Sequence, residues 1–204
     1  EVLYAYALVA SAMVAGFMIF PNIAAYVVFN LGYPRSELEI LFAVGGVVSL
    51  VGMQIAGRLC DRIGAFRVGS VAVLVVVIVM YFLFAAFEPG WPLVALFATF
   101  MLFMSVRAVA QNTLTSQVPL PHERARFMSL ESATRHFASS TGAILGSLIL
   151  VEGEGRALEG LPELTFASSG FLLLIPPLLW ILESRVRANQ AASRIPVVAE
   201  SVAR

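Results

Sequence analysis

Six apolar runs, each close to the length that crosses a bilayer, are separated by short polar breaks, and no other feature limits the fold as much. A helix rises about 1.5 Å per residue, so about 30 Å of hydrocarbon takes roughly 20 mainly apolar residues. The runs extend from Val2 to Leu31, Glu37 to Gly57, Phe66 to Phe87, Pro92 to Val118, Phe127 to Val151 and Phe166 to Leu182. Between them lie Gly32-Tyr33-Pro34-Arg35-Ser36, a charged segment over 57–68, Glu88-Pro89-Gly90-Trp91, Pro119 to Arg124, and an acidic stretch from Glu152 to Thr165. Strands of a membrane barrel would be shorter and would alternate in polarity, which these runs do not. The expected fold is therefore an all-α membrane protein, with a six-helix transmembrane domain over 1–182 and a flexible cytoplasmic tail over 183–204.

Composition closes off other classes. With 59% hydrophobic and 13% charged residues, the chain does not suit a soluble domain of its size, and the lipid bilayer is its first partner. Its formal net charge is zero and its thirteen basic residues are all arginine, so no polyanion surface and no nucleic-acid partner are expected. Cys60 is the single cysteine and there are two histidines without paired-ligand spacing, so neither a disulfide nor a metal site nor a cofactor is expected. The chain starts at Glu1 and lacks the charged start of a signal peptide, which points to a segment of a longer protein.

Arginine sets the expected orientation, because loops on the cytoplasmic side are enriched in Lys and Arg. If 57–68 is cytoplasmic, ten of the thirteen arginines lie inside, Arg35 and Arg156 lie outside, and Arg107 falls within a span. Both termini are then cytoplasmic in a multi-pass protein of the cell (inner) membrane.

The polar content of the spans repeats in threes. The third and sixth are almost wholly apolar, whereas the first, second, fourth and fifth carry polar groups at helical spacing. Asn22, Tyr26 and Asn30 fall at i, i+4 and i+8, as do Arg107, Gln111 and Thr115, and Ser132, His136, Ser139 and Ser140 share a face. Two triplets of opposite topology make an inverted repeat of the kind found in secondary transporters. Hydroxyls and amides also serve as glue between membrane helices, but a charge as deep as Arg107 needs a partner or water. Pro21 is expected to kink the first helix near Asn22, and Ala138, Gly142 and Gly146 form a stripe for close helix packing. Glu131 and Arg135, at i,i+4, are expected to neutralise each other.

The segment Gly57-Arg58-Leu59-Cys60-Asp61-Arg62-Ile63-Gly64-Ala65-Phe66-Arg67 reads as a tight charged connection, its two glycines allowing close approach and unusual backbone angles. Its Gly-x-Leu-x-Asp-Arg-x-Gly spacing resembles the signature loop of the major facilitator superfamily, found between the second and third helices of each half. Ala65 and Phe66 stand where more basic residues usually follow, which matches the copy in the second half. Arg107, Ser116-Gln117-Val118-Pro119 and Glu123 to Leu130 further resemble the tenth helix, its loop and the eleventh helix of efflux-type members.

The resemblance implies helices seven to twelve of a twelve-helix transporter. Its implied partners are a missing N-terminal six-helix half, or a second copy, and a small-molecule substrate. It makes Gly57, Asp61, Arg62, Gly64 and Arg67 a conformational latch, with Asp61 docking on a helix N-terminus of the other half. Carried over by position, Asn22, Tyr26, Gln54, Arg107, Gln111, His136 and Ser139 line the central cavity. The expected function is secondary transport of a small organic solute by alternating access, as proton-coupled efflux. A six-helix channel or oligomeric scaffold is the alternative. An enzyme is not expected, since no Gly-x-Ser-x-Gly elbow accompanies His136, Ser139 and Ser140.

Overall fold

The computed structural model describes residues 1–202 of the 204-residue chain, so Arg204, expected in the tail, lies outside the described residues. Helix α1 (Val2–Ile19) gives way to a 3-10 turn at Phe20–Asn22, the short α2 (Ile23–Ala25) and a π-helical turn at Tyr26–Asn30. Pro21 sits in that 3-10 turn, and its missing N–H and its ring account for the break at the position the sequence indicates. The chain continues through α3 (Leu38–Ile63), α4 (Ala65–Met80) with a π-helical turn at Tyr81–Ala85, α5 (Leu93–Thr115) and α6 (Arg124–Ile149). Helix α7 (Leu161–Leu173) runs almost directly into α8 (Ile175–Val202). A two-stranded antiparallel hairpin, β1 (Val151–Glu152) and β2 (Leu158–Glu159), joins α6 to α7, with Val151 opposite Glu159.

Among the described residues, five stretches are long and apolar enough to cross a membrane: Val2–Asn30, Arg35–Ile63, Ala65–Ala85, Leu93–Thr115 and Leu161–Asn189. Helix α6, the fifth span expected from the sequence, has 26 residues, about 39 Å at the usual helical rise, and so has spanning length. Arg124, Arg126, Glu131 and Arg135, followed by His136 and several hydroxyls, make it too polar to join the other five. The membrane domain expected to end at Leu182 continues as helix: Leu182 and Val186 of α8 are both buried against the bundle.

The helices pack in definite pairs, α3 on α5, α1 on α6, α4 on α5, α1 on α7 and α8, and α4 on α8, whereas α1 and α5 meet only sparsely. Small residues set the two closest pairings. On α3, Gly45, Ser49, Gly52 and Ala56 are all buried, Ser49 Oγ donates to the Met101 carbonyl at 3.1 Å and Ser105 Oγ to the Ser49 carbonyl at 3.3 Å. On α6, Ala138, Gly142 and Gly146 are buried, and a Cβ on either glycine would stand 2.5 Å from the Val14 carbonyl oxygen or 2.6 Å from that of Met18. The stripe read from the sequence is thus a packing stripe. Phe97, Phe100, Leu8, Met80 and Leu83 fill the interior, while Leu50, Ile55, Ile78, Phe137 and Leu148 point outward, as an apolar solvent permits.

Candidate functional site

At one end of the bundle the segment over 57–68 is mostly helix. Helix α3 runs on to Ile63 and α4 begins at Ala65, so Gly57, Asp61 and Arg62 occupy the last turns of α3, and the connection expected over twelve residues is Gly64 alone. Gly64 adopts φ 95°, which reverses the chain in one step and which side-chain-bearing residues rarely accept. Gly57, by contrast, is not held by close packing: a Cβ there would meet nothing within 4 Å.

Glycine at the start of α4 offers no side-chain cap, and α8 supplies one instead. The Phe66 N–H donates to Glu183 Oε2 at 2.5 Å, and the other carboxylate oxygen of Glu183 accepts from Arg187. A carboxylate at a helix N-terminus satisfies an orphan donor and complements the helix dipole. A Cβ on Gly64 would lie 2.8 Å from that same Glu183 oxygen, so the glycine also leaves room for the cap. Asp61, Arg62 and Arg67 are exposed and make no ion pair among the described residues. They border an open groove of about 600 Å³ shared with Cys60, Trp180 and Glu183.

The second region lies along α5. Phe100, Met104, Arg107 and Gln111 follow one another at helical spacing on α5; Phe100 pairs with the ring of Phe20, in the turn after α1, at 6.0 Å, and the Met104 methyl lies beside Gly16 of α1. Arg107 is 4% exposed and Gln111 2%. Arg107 Nη1 donates to Gln111 Oε1 at 3.0 Å, and its buried Nε has no partner. The charge that acts on Arg107 is Arg135 on α6, of like sign, and Arg135 is itself paired with Glu131 at 2.6 Å, as the i,i+4 spacing indicates. Below this pair a cavity of about 240 Å³ lies between Asn112, Thr115, Arg124, Phe127, Glu131 and Arg135.

Of the other cavity candidates, Asn22 and Tyr26 line one narrow crevice with Phe84, Leu161 and Leu164, and the rest lie apart. Tyr26 is buried, and its hydroxyl donates to the Leu83 carbonyl at 2.7 Å on the π-helical turn after α4. Asn22 is half-buried and donates back to the Met18 carbonyl at 3.3 Å. Asn30, expected on the same face, instead clamps the hairpin: its amide donates to the Leu158 carbonyl at 2.8 Å and its Oδ1 accepts from the Leu158 N–H at 2.9 Å. The break at Pro21 and the π-helical turn destroy the uniform spacing that would have aligned the three. His136 is exposed on α6 and Ser139, one turn on, is half-buried with its hydroxyl bonded to the Arg135 carbonyl at 2.8 Å. Gln54 stands apart from all of these, exposed on α3. Glu183 escaped the sequence reading because it falls just past the last apolar run; the visible signal was its i,i+4 spacing to Arg187.

These arrangements define a polytopic helical membrane protein with polar groups buried along its core helices. A family model, Major Facilitator Superfamily, matches residues 5–201, and the chain belongs to that superfamily of membrane transporters. A search of curated proteins finds no match.

Proposed function

We propose that this chain is one half, helices seven to twelve, of a twelve-helix secondary transporter that moves a small organic solute by alternating access. The observation that carries the reading is an exchange symmetry of the interfaces. If the first, second and third long helices are paired with the fourth, fifth and sixth, the α3·α5 contact maps onto α6·α1, the α4·α5 contact maps onto α1 with α7 and α8, and α4·α8 maps onto itself. Both members of the closest pair are built on a stripe of small residues carried by the second helix of its triplet. That pattern supports two inverted three-helix repeats, with polar α6 as the sixth span, shielded from lipid by a companion half.

In this reading the Asp61 end faces the cytoplasm of the cell (inner) membrane together with both termini. Asp61 is then free to dock on a helix N-terminus of the companion half, or of a second copy, because Glu183 already caps α4. The resemblance of the 107–130 stretch to efflux-type members points to export in exchange for protons. Glu131 is neutralised by Arg135, so the proton-carrying carboxylate is expected in the companion half.

The test is a solute screen on the complete protein reconstituted on a solid-supported membrane. A carrier gives transient currents that saturate with solute and respond to a proton gradient, and Arg107→Ala reduces them. Steady, non-saturating conduction favours a channel, and currents unchanged by Arg107→Ala remove Arg107 from the path.

A further inference from the structure

We infer that the cargo carries an anionic group, a carboxylate or comparable oxyanion, and that Arg107 binds it; this rests on the transporter reading. A guanidinium has five N–H donors, and Arg107 engages a neutral amide through Nη1 while its Nε is bare. A charge removed from water without a counter-charge is costly, and such groups persist in membrane helices where function needs them. The two ion pairs of the described residues, Arg135 with Glu131 and Arg187 with Glu183, each supply the acid that Arg107 lacks. Arg107, Arg135 and Glu131 together leave one positive charge uncompensated at the junction of α5 and α6.

The surroundings favour a mobile anion over a fixed one. Arg107 is enclosed by this chain alone, so a companion-half carboxylate would have to displace α1 or α6 to reach it. On the same helix Phe100 and Met104 lie beside Phe20 and Gly16, and α1 and α5 meet only sparsely. When that seam parts, the Arg107 guanidinium turns from Gln111 to an entering oxyanion and gains a bidentate, charge-assisted pairing in its place. Hydroxyls and amides of the neighbouring cavity, Asn112 and Thr115 among them, can hold the rest of a small acid.

The test is binding to the complete protein in phosphatidylcholine nanodiscs, read by the shift of its unfolding midpoint with benzoate, inorganic phosphate, benzyl alcohol and benzylamine as probes. At least one anion stabilises the wild type saturably, benzyl alcohol and benzylamine do not, Arg107→Gln weakens anion binding roughly tenfold or more, and Arg107→Lys keeps part of it. Without anion, Arg107→Gln raises the midpoint, because an uncompensated charge is removed. Equal anion responses in wild type and Arg107→Gln, or no anion response at all, overturn the assignment. A lowered midpoint in anion-free Arg107→Gln overturns it in favour of a carboxylate from the companion half, and a response confined to discs containing phosphatidylglycerol overturns it in favour of a lipid headgroup. Anion binding through Arg107 without any flux would leave the site standing and remove the transporter reading.

Discussion

The α1·α6 and α3·α5 interfaces solve the same problem, bringing two membrane helices into close contact, with different atoms. Across α1·α6, Gly142 and Gly146 rest on the backbone of Val14 and Met18. Across α3·α5, Gly45 rests on the side chains of Phe97 and Met101, and Ser49 and Ser105 add hydrogen bonds. A side chain can turn aside for an added methyl group, whereas a backbone carbonyl cannot without moving its helix. One interface is therefore rigid and the other adaptable, although exchange symmetry relates them.

The largest effect is expected at the rigid contact. Gly142→Leu in the complete protein should abolish recovery of monodisperse material in size-exclusion chromatography, since the new side chain has only the Val14 backbone to occupy. Gly146→Ala should cost about 2–3 kcal/mol, the upper part of the range for overpacking, against less than about 1 kcal/mol for Gly45→Ala. Comparable losses at both glycines, measured by reversible unfolding in mixed micelles, would dissolve the distinction. Asn30→Ala removes two hydrogen bonds and should cost about 1–2 kcal/mol locally, read as faster hydrogen exchange over the 151–159 hairpin with little change in α3. Ser49→Ala is the smallest, about 0.6 kcal/mol, as interhelical hydrogen bonds in membranes average.

The membrane class and the break at Pro21 were legible because hydropathy and proline act locally. The small-residue stripe from Ala138 to Gly146 was legible too, because its spacing is that of one helix face. Residues whose role depends on a distant partner were not. Glu183 looked like the start of a polar tail until α8 placed it against the N-terminus of α4, and nothing near Tyr26 in the sequence points to the Leu83 carbonyl that its hydroxyl meets. Asn30 kept its helical spacing in the sequence and lost it to the π-helical turn. The single-residue turn at Gly64 was hidden inside a motif that reads as a longer loop, since Asp61 and Arg62 are as compatible with a helix end as with a loop.

Alternating access is tested most directly by two-sided labelling of the complete protein in a Cys60→Ser background with a cysteine at His136. A membrane-impermeant maleimide is applied to right-side-out and to inside-out vesicles, with and without Asp61→Ala. Loss of the Asp61 carboxylate is expected to raise labelling from the cytoplasmic side and to lower it from the outside by a matching fraction. Labelling that rises from both sides together, or a His136 position reached from neither, would contradict the account.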